Sequence, residues 1–207
     1  MVKSLLSEAD AREVEAAVAE VETQTAAEVV VAVLPQSRDY WQARVLLSAG
    51  WALAAALAFL HFQPWRAPVW ALLLELFVGA AAFLLSGVPA LQRRLIGREL
   101  AQRAVQARAF QLFAERGLRG TRGRTALLIF VSELERRVVL LGDRALDSHL
   151  GQQAWDDYVE LLVAELRAGQ ARAGLLRVLE LLTPHLAELA PRQPDDQNEL
   201  PDAVLRG

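Results

Sequence analysis

Residues 45–91 read VLLSAGWALAAALAFLHFQPWRAPVWALLLELFVGAAAFLLSGVPAL, and between Val45 and Leu91 the only charged side chains are Arg66 and Glu75. The stretch divides at His61-Phe62-Gln63-Pro64-Trp65-Arg66 into two apolar runs. As a helix, Val45 to Phe62 rises roughly 27 Å, near the hydrocarbon thickness of a bilayer. Ala67 to Leu91 rises roughly 37 Å and must tilt or run into the headgroups. Neither run carries the polar face of a helix packed on a soluble core. The reading is a transmembrane helical hairpin, 45–62 and 67–91, rather than a buried helical pair.

Three features support that choice. Four of the five Trp (Trp41, Trp51, Trp65 and Trp70) lie in or beside the hairpin, with Trp41, Trp65 and Trp70 near its ends, as in an interfacial belt. Gly50, Ala54 and Ala58 recur at i+4, the small-residue spacing that lets membrane helices approach closely. The remaining residues are also too few to wrap two such helices on every side. Glu75 opposes insertion by roughly 2.5–3.5 kcal/mol at a helix centre, but Leu72, Leu73, Leu74, Leu76, Phe77, Val78, Phe83, Leu84, Leu85 and Val88 return about 0.3–0.6 kcal/mol each. Glu75, Gly79, Ala82 and Ser86 share a helical face. The carboxylate is therefore expected to face a partner helix, at the depth of Ala54, in helix pairing or oligomer contact. A lone acid makes no proton path.

Arg38 and Arg44 precede the hairpin and Arg93, Arg94 and Arg98 follow it, whereas the connecting loop has only Arg66. The positive-inside rule places both flanks in the cytoplasm and the protein in the inner or cell membrane. Met1 to Ser7 lacks the apolar core and cleavage site of a signal peptide. The absence of Cys removes disulfides, thiolate catalysis and cysteine-ligated metals.

Outside the hairpin, residues 1–44 and 92–190 are expected to form one discontinuous α/β domain, because the head offers only one helix and one strand. Ser7-Glu8-Ala9-Asp10 resembles a capping box opening a helix to about Glu22, with Val14, Ala17, Val18 and Val21 as its buried stripe. Glu28 to Leu34 is a β-branched run expected to be a strand covered on both faces. Arg98 to Arg116 is predicted helical, with Leu100, Val105, Leu112 and Phe113 inward. Thr125 to Val131 and Arg137 to Leu141 form a strand hairpin across Ser132 to Arg136, with Gly142 stopping the second strand. Gln152 to Ala168, burying Trp155, Val159, Leu162 and Leu166, and Gln170 to Leu189 are predicted amphipathic helices. The tail 191–207 is expected to be extended and mobile.

Chemistry is sparse. Gly117 to Arg124 lacks the Lys-Ser/Thr of a phosphate-binding loop and precedes a strand rather than a helix. Its three Arg could meet an acidic headgroup or phosphate, but a solvated loop is the preferred reading. A net charge of −3, with no aromatic residues among the bases, argues against nucleic acid. Gly-x-Ser-x-Gly is absent, and His61, His149 and His185 do not sit at metal-ligand spacing. One cluster stands out: Gly142-Asp143-Arg144-Ala145-Leu146-Asp147-Ser148-His149, directly after a strand. Asp143 and Asp147, with Glu28, could offer oxygen ligands to Ca2+ or Mg2+. The structural alternative, preferred here, has Asp147 capping the next helix and Asp143 pairing with Arg144 or a nearby base. Asp143 is expected near the carboxyl end of the sheet containing Glu28 to Leu34, where ligands enter α/β folds.

Several short motifs follow one another along the chain: Thr25-Ala26-Ala27-Glu28-Val29-Val30-Val31, Ala104 and Phe113, Gly117-Leu118-Arg119-Gly120-Thr121, and Leu127-Leu128-Ile129-Phe130-Val131-Ser132. Glu135-Arg136-Arg137-Val138, Gly142-Asp143 and Trp155 continue the order. In this order they resemble the TPM domain family, named after a thylakoid lumen protein, a photosystem II repair protein and an acetylcholine-receptor modulator, and Asp195 to Asp202 looks like its bacterial branch. The resemblance implies a three-layer α/β/α domain around a mixed sheet. It also implies a role in assembly or repair of membrane complexes, or phosphatase activity with divalent metal, with Glu28 and Asp143 as the positions to watch. The sequence departs from the family in its inserted hairpin and in Arg144, which stands where relatives often carry a second Gly. The reading is a membrane-tethered, non-catalytic interaction or assembly module, with membrane-protein partners or copies of itself; the alternative is a divalent-metal-dependent phosphatase.

Overall fold

The computed structural model describes residues 5–63, 65–118, 125–192 and 203–206. In chain order the elements are α1 (Glu8–Gln24), β1 (Glu28–Leu34), α2 (Trp41–Phe62), α3 (Val69–Ser86), α4 (Pro89–Leu95), α5 (Arg98–Glu115), β2 (Ala126–Ser132), β3 (Arg137–Gly142), α6 (Arg144–Arg167), α7 (Ala171–Leu189) and β4 (Leu205–Arg206). They form two compact units, residues 1–37 with 101–207, and residues 38–100.

The first unit is a mixed α/β fold. Its sheet runs β3-β2-β1-β4, with β1 parallel to β2 and to β4, and β3 antiparallel to β2. In β1, Glu28 to Val33 are all buried, as an unbroken β-branched run requires when both faces of a strand are covered. Side chains alternate across the sheet. Val29, Val31, Val33, Leu127, Ile129 and Val131 join a core with α1, α6 and α7. Val30, Ala32, Ala126, Leu128 and Phe130 join a second core with α5.

α1 begins at a true capping box: Ser7 Oγ accepts the Asp10 N–H at 3.1 Å and Asp10 Oδ2 accepts the Ser7 N–H at 3.0 Å. The β2–β3 turn is tied to the exit of β1, where the Glu133 N–H donates to Leu34 O at 2.9 Å and the Glu135 carboxylate accepts the Ser37 N–H and the Ser132 hydroxyl.

Two expectations need correction. Leu100 is 45% exposed, whereas Val105, Leu112 and Phe113 are buried as expected, joined by Ala101 and Ala109 in a stripe one position out of phase with Leu100. The tail is not wholly extended away from the domain. β4 pairs with Ala32 and Val33, Val204 is buried and its N–H donates to Glu15 at 3.0 Å. Pairing there covers the Ala32–Val33 part of the β1 edge. The helix expected from Gln152 is the longer part of α6: a break at Gly151 (φ 73°, ψ 163°) separates it from a short helical piece, residues 144–150, that was not expected from the sequence. Backbone of that kind is essentially confined to glycine.

The second unit contains the two apolar helices, both long and apolar enough to cross a membrane. α2 has 22 residues, about 33 Å, and α3 has 18, about 27 Å. The second is shorter than the expected 67–91 span, because Gly87 and Val88 end it and Pro89 starts a new helix, where a proline fits the first turn. The side chains of both helices are mostly exposed: Leu46 is 74% exposed, Leu84 and Phe77 71%.

Candidate functional site

The candidate acids gather at one end of the sheet, and it is the end opposite to the expected one. β3 is antiparallel to β2 and pairs Gly142 with Leu127, so β3 finishes where the parallel strands begin. The Asp143 N–H donates to Ala126 O at 3.1 Å, and Glu28 pairs with the same Ala126 from the other side. Asp143 therefore lies at the amino end of β1 and β2, not the carboxyl end. The expectation failed because the direction of β3 depends on its partner, which a strand's own residues do not state.

Asp143 caps α6. Its Oδ1 accepts the Ala145 N–H at 3.0 Å and the Leu146 N–H at 3.1 Å, satisfying two of the donors a helix leaves open at its start. The cap expected of Asp147 is thus made by Asp143. Asp147 lies in the first turn, with Oδ1 3.2 Å from the point a Gly142 Cβ would occupy. The same Cβ would stand 2.9 Å from Trp155 Cζ2, so the helix rests directly on the backbone of Gly142. Burial raises the Asp147 carboxyl above its ordinary value and the Asp143 charge adds to this, while the Trp155 indole N–H acts in the opposite direction.

Glu28 is 6% exposed and, by strand alternation, lies on the face of Val30 and Ala32, toward α5. Gly142 shares the other face with Val138 and Leu140, and Asp147 meets it there. The sheet therefore stands between Glu28 and Asp147. With two strand spacings between them, the backbones at Glu28 and Asp143 are about 10 Å apart. The arrangement joins Asp143 to Asp147 and separates both from Glu28. Arg119, Arg122 and Arg124 of the basic loop lie outside the described residues.

A group that spacing in the sequence did not reveal sits at this same end. His149 on α6 and His185 and Glu188 on α7 present one donor atom each, all within 4.8 Å of one another. His149 Nε2 is 3.5 Å from Glu188 Oε2, and the two imidazole rings are 5.7 Å apart at 66°. The end of α7 that carries His185 and Glu188 is fastened to the α1–β1 connection. Thr25 Oγ1 lies 2.9 Å from Leu186 O and 2.7 Å from Ala190 O, and the Ala26 N–H donates to Ala190 O at 2.8 Å. The only sequence signal was His185 and Glu188 at i,i+3 on one helix face.

In the hairpin unit, α2 and α3 meet along Ser48 and Ala52 on one side and Gly79 on the other. A Cβ on Gly79 would stand 3.3 Å from Ala52 Cβ. Ala71 and Ser86 are the buried residues of α3. Glu75 is half-buried, whereas Gly50, Ala54 and Ala58 are exposed and Gly50 has nothing within 4 Å of its would-be Cβ. The expected small-residue stripe is therefore not the seam of the hairpin, which runs two residues away on α2. Arg44 closes the far end of α3: its Nη2 donates to Phe83 O at 3.0 Å and its guanidinium lies 4.4 Å over the Phe83 ring. A cation at a helix C-terminus meets the negative end of the helix dipole.

The NMR structure of the BA42 protein from the psychrophilic bacterium Bizionia argentinensis is similar in fold. The likeness has a TM-score of 0.61 at 16% identity and covers 100% of this chain and 99% of that one. No family model and no curated protein matches the sequence.

Proposed function

We propose that the protein is an integral membrane protein whose α/β unit is a TPM-like, three-layer interaction or assembly module held at the cytoplasmic face. The observation that carries this reading is the exposure of the hairpin. Two adjacent helices leave Leu46, Trp51, Leu53, Leu57, Leu72, Leu73, Leu76, Phe77, Leu84 and Leu85 uncovered, an apolar area far beyond what a soluble surface carries. Lipid is the solvent that such surface needs. The basic residues flanking the hairpin support the cytoplasmic side, and the ordered motifs from Thr25 to Trp155 support the TPM likeness. Membrane-protein partners, or further copies of this chain meeting at the hairpin, fit a tether of this kind.

The chain has no Cys, so a single introduced Cys reports its own side of the membrane. Gln63→Cys should react with an impermeant maleimide from outside intact cells, and Gln153→Cys only after permeabilisation. Resistance to alkaline carbonate extraction is expected as well. Extraction into the soluble fraction would overturn the tether, and reversed labelling would overturn the side.

A metal-dependent phosphatase built on Asp143, Asp147 and Glu28 is the weaker reading. Asp143 Oδ1 already serves two backbone N–H groups, and the sheet lies between Glu28 and Asp147. Phosphatase activity dependent on Mg2+ or Ca2+ and lost in Asp143→Asn would restore it.

A further inference from the structure

We propose that His149, His185 and Glu188 form a binding site for Zn2+ or a similar late transition-metal cation, bridging α6 and α7. The donor set is the first reason. Two imidazoles and a carboxylate suit zinc and its neighbours, whereas Ca2+ and Mg2+ take all-oxygen shells. The ion class therefore differs from the Ca2+ or Mg2+ expected of Asp143 and Asp147.

Distance is the second reason. Ligands bound to tetrahedral zinc at about 2.0–2.1 Å are about 3.3 Å from one another. His149 Nε2 and Glu188 Oε2 are 3.5 Å apart, and all three donors fit within 4.8 Å, so small rotamer adjustments close the shell. The separation is long for a hydrogen bond. An ion pair between His149 and Glu188 would also leave the approach of the His185 ring unexplained. The rims of the group are open, with His149 and Glu188 exposed and His185 half-buried, so a cation can enter and a fourth tetrahedral position remains for water or another donor.

The third reason is the scaffold. Residues 144–150 form a short helical piece cut from the rest of α6 at Gly151, and His149 is on it. His185 and Glu188 stand on the end of α7 that Thr25 anchors. A metal at this place fastens the broken piece, with the Asp143 cap and Asp147, to the fixed helix. The site acts as a cross-helix clamp at the amino end of the parallel strands.

The test is competition for Zn2+ between the purified full-length chain in detergent and a chromogenic chelator at neutral pH, together with thermal unfolding. Wild type should withdraw a single equivalent and unfold at a higher temperature with zinc. His149→Ala and His185→Ala should each weaken binding roughly 10-fold or more and abolish the thermal shift. His61→Ala, which removes the third His of the chain, should change neither. Co2+ in place of zinc should give the intense visible bands of a tetrahedral centre. Glu188→Gln, at an exposed position, carries the test if a His variant unfolds. Unchanged zinc affinity in the His149→Ala/His185→Ala double variant, no zinc withdrawn by wild type, or equal competition by Mg2+ or Ca2+ would overturn the proposal.

Discussion

α3 and α7 differ by one residue in length, 18 against 19, and both are rich in leucine, yet they stand in opposite environments. α7 turns Leu175, Val178, Leu179, Leu182 and Leu186 into the core and keeps Arg172, Arg177 and Glu180 outside. α3 buries only Ala71 and Ser86, both small, while Leu72, Leu73, Leu76, Phe77, Leu84 and Leu85 are uncovered. Leucine content does not separate the two. What separates them is where the charged residues fall and what is buried. α7 keeps Arg172, Arg177 and Glu180 on a solvent face opposite its buried leucines, whereas α3 has no such face and buries Ala71 and Ser86 while its leucines stay uncovered. The α/β unit is built to bury its apolar face within itself, and the hairpin is built to present its apolar face to something else.

The contrast can be broken most directly with leucine truncations. Leu179→Ala or Leu182→Ala should cost the α/β unit about 2–5 kcal/mol, since a cavity is left in a closed core. Leu76→Ala or Leu84→Ala should change its unfolding by less than about 0.5 kcal/mol. Equal losses from both sets, in denaturant melts of the detergent-solubilised protein, would mean that the hairpin is part of the same core.

Glycine positions sharpen the same point. Gly151→Ala should cost about 1–3 kcal/mol, because its backbone geometry excludes a Cβ. Gly50→Ala should cost nothing and stabilise α2 by up to about 1 kcal/mol, since Gly50 lies within a regular helix with no atom in reach. A neutral Gly151→Ala would show that the break in α6 is not held by the fold.

Smaller still is the cap of α6. Asp143→Ala should destabilise by about 1 kcal/mol, while Asp143→Asn, which retains a capping oxygen, should be near wild type in thermal melts. A loss as large in Asn as in Ala would assign the carboxylate a role that depends on its charge.

The smallest effect is a pH dependence at Asp10. Hydrogen bonds from Ser7, with the Arg172 charge assisting, hold its carboxyl below the ordinary value of 3.8. The charged form therefore favours the folded state above that value, and the advantage is lost as pH falls through the lowered one. Wild type should melt above Asp10→Asn at neutral pH, and the gap should close in acid. A gap independent of pH would assign the effect to capping geometry alone.

Much of this was legible along the chain because it is local. Glu28 to Leu34 declares a doubly covered strand through its β-branched residues, Ser7 and Asp10 declare a helix start through their spacing, and the two apolar runs declare themselves through length and lack of charge. Readings failed where a partner decides the outcome. Leu100 turned outward because the helix phase is set by Ala101, Val105 and Ala109 meeting the sheet. Asp143 fell at the amino end of β1 and β2 because β3 runs antiparallel to its neighbour. Gly50, Ala54 and Ala58 lost the seam to Ser48 and Ala52 because helix rotation follows the facing helix, where Gly79 makes room.

The sequence by itself determined most of the elements, the discontinuous α/β unit and the two apolar helices, since periodicity, capping and charge act over a few residues. Only the tertiary structure decided that Leu205 and Arg206 return beside Ala32 and Val33, and that Glu28 and Asp147 stand on opposite faces of one sheet. It alone brought His149 to His185 and Glu188. Those relations join residues far apart in the chain, and their distances depend on how whole helices and strands pack, which no local pattern encodes.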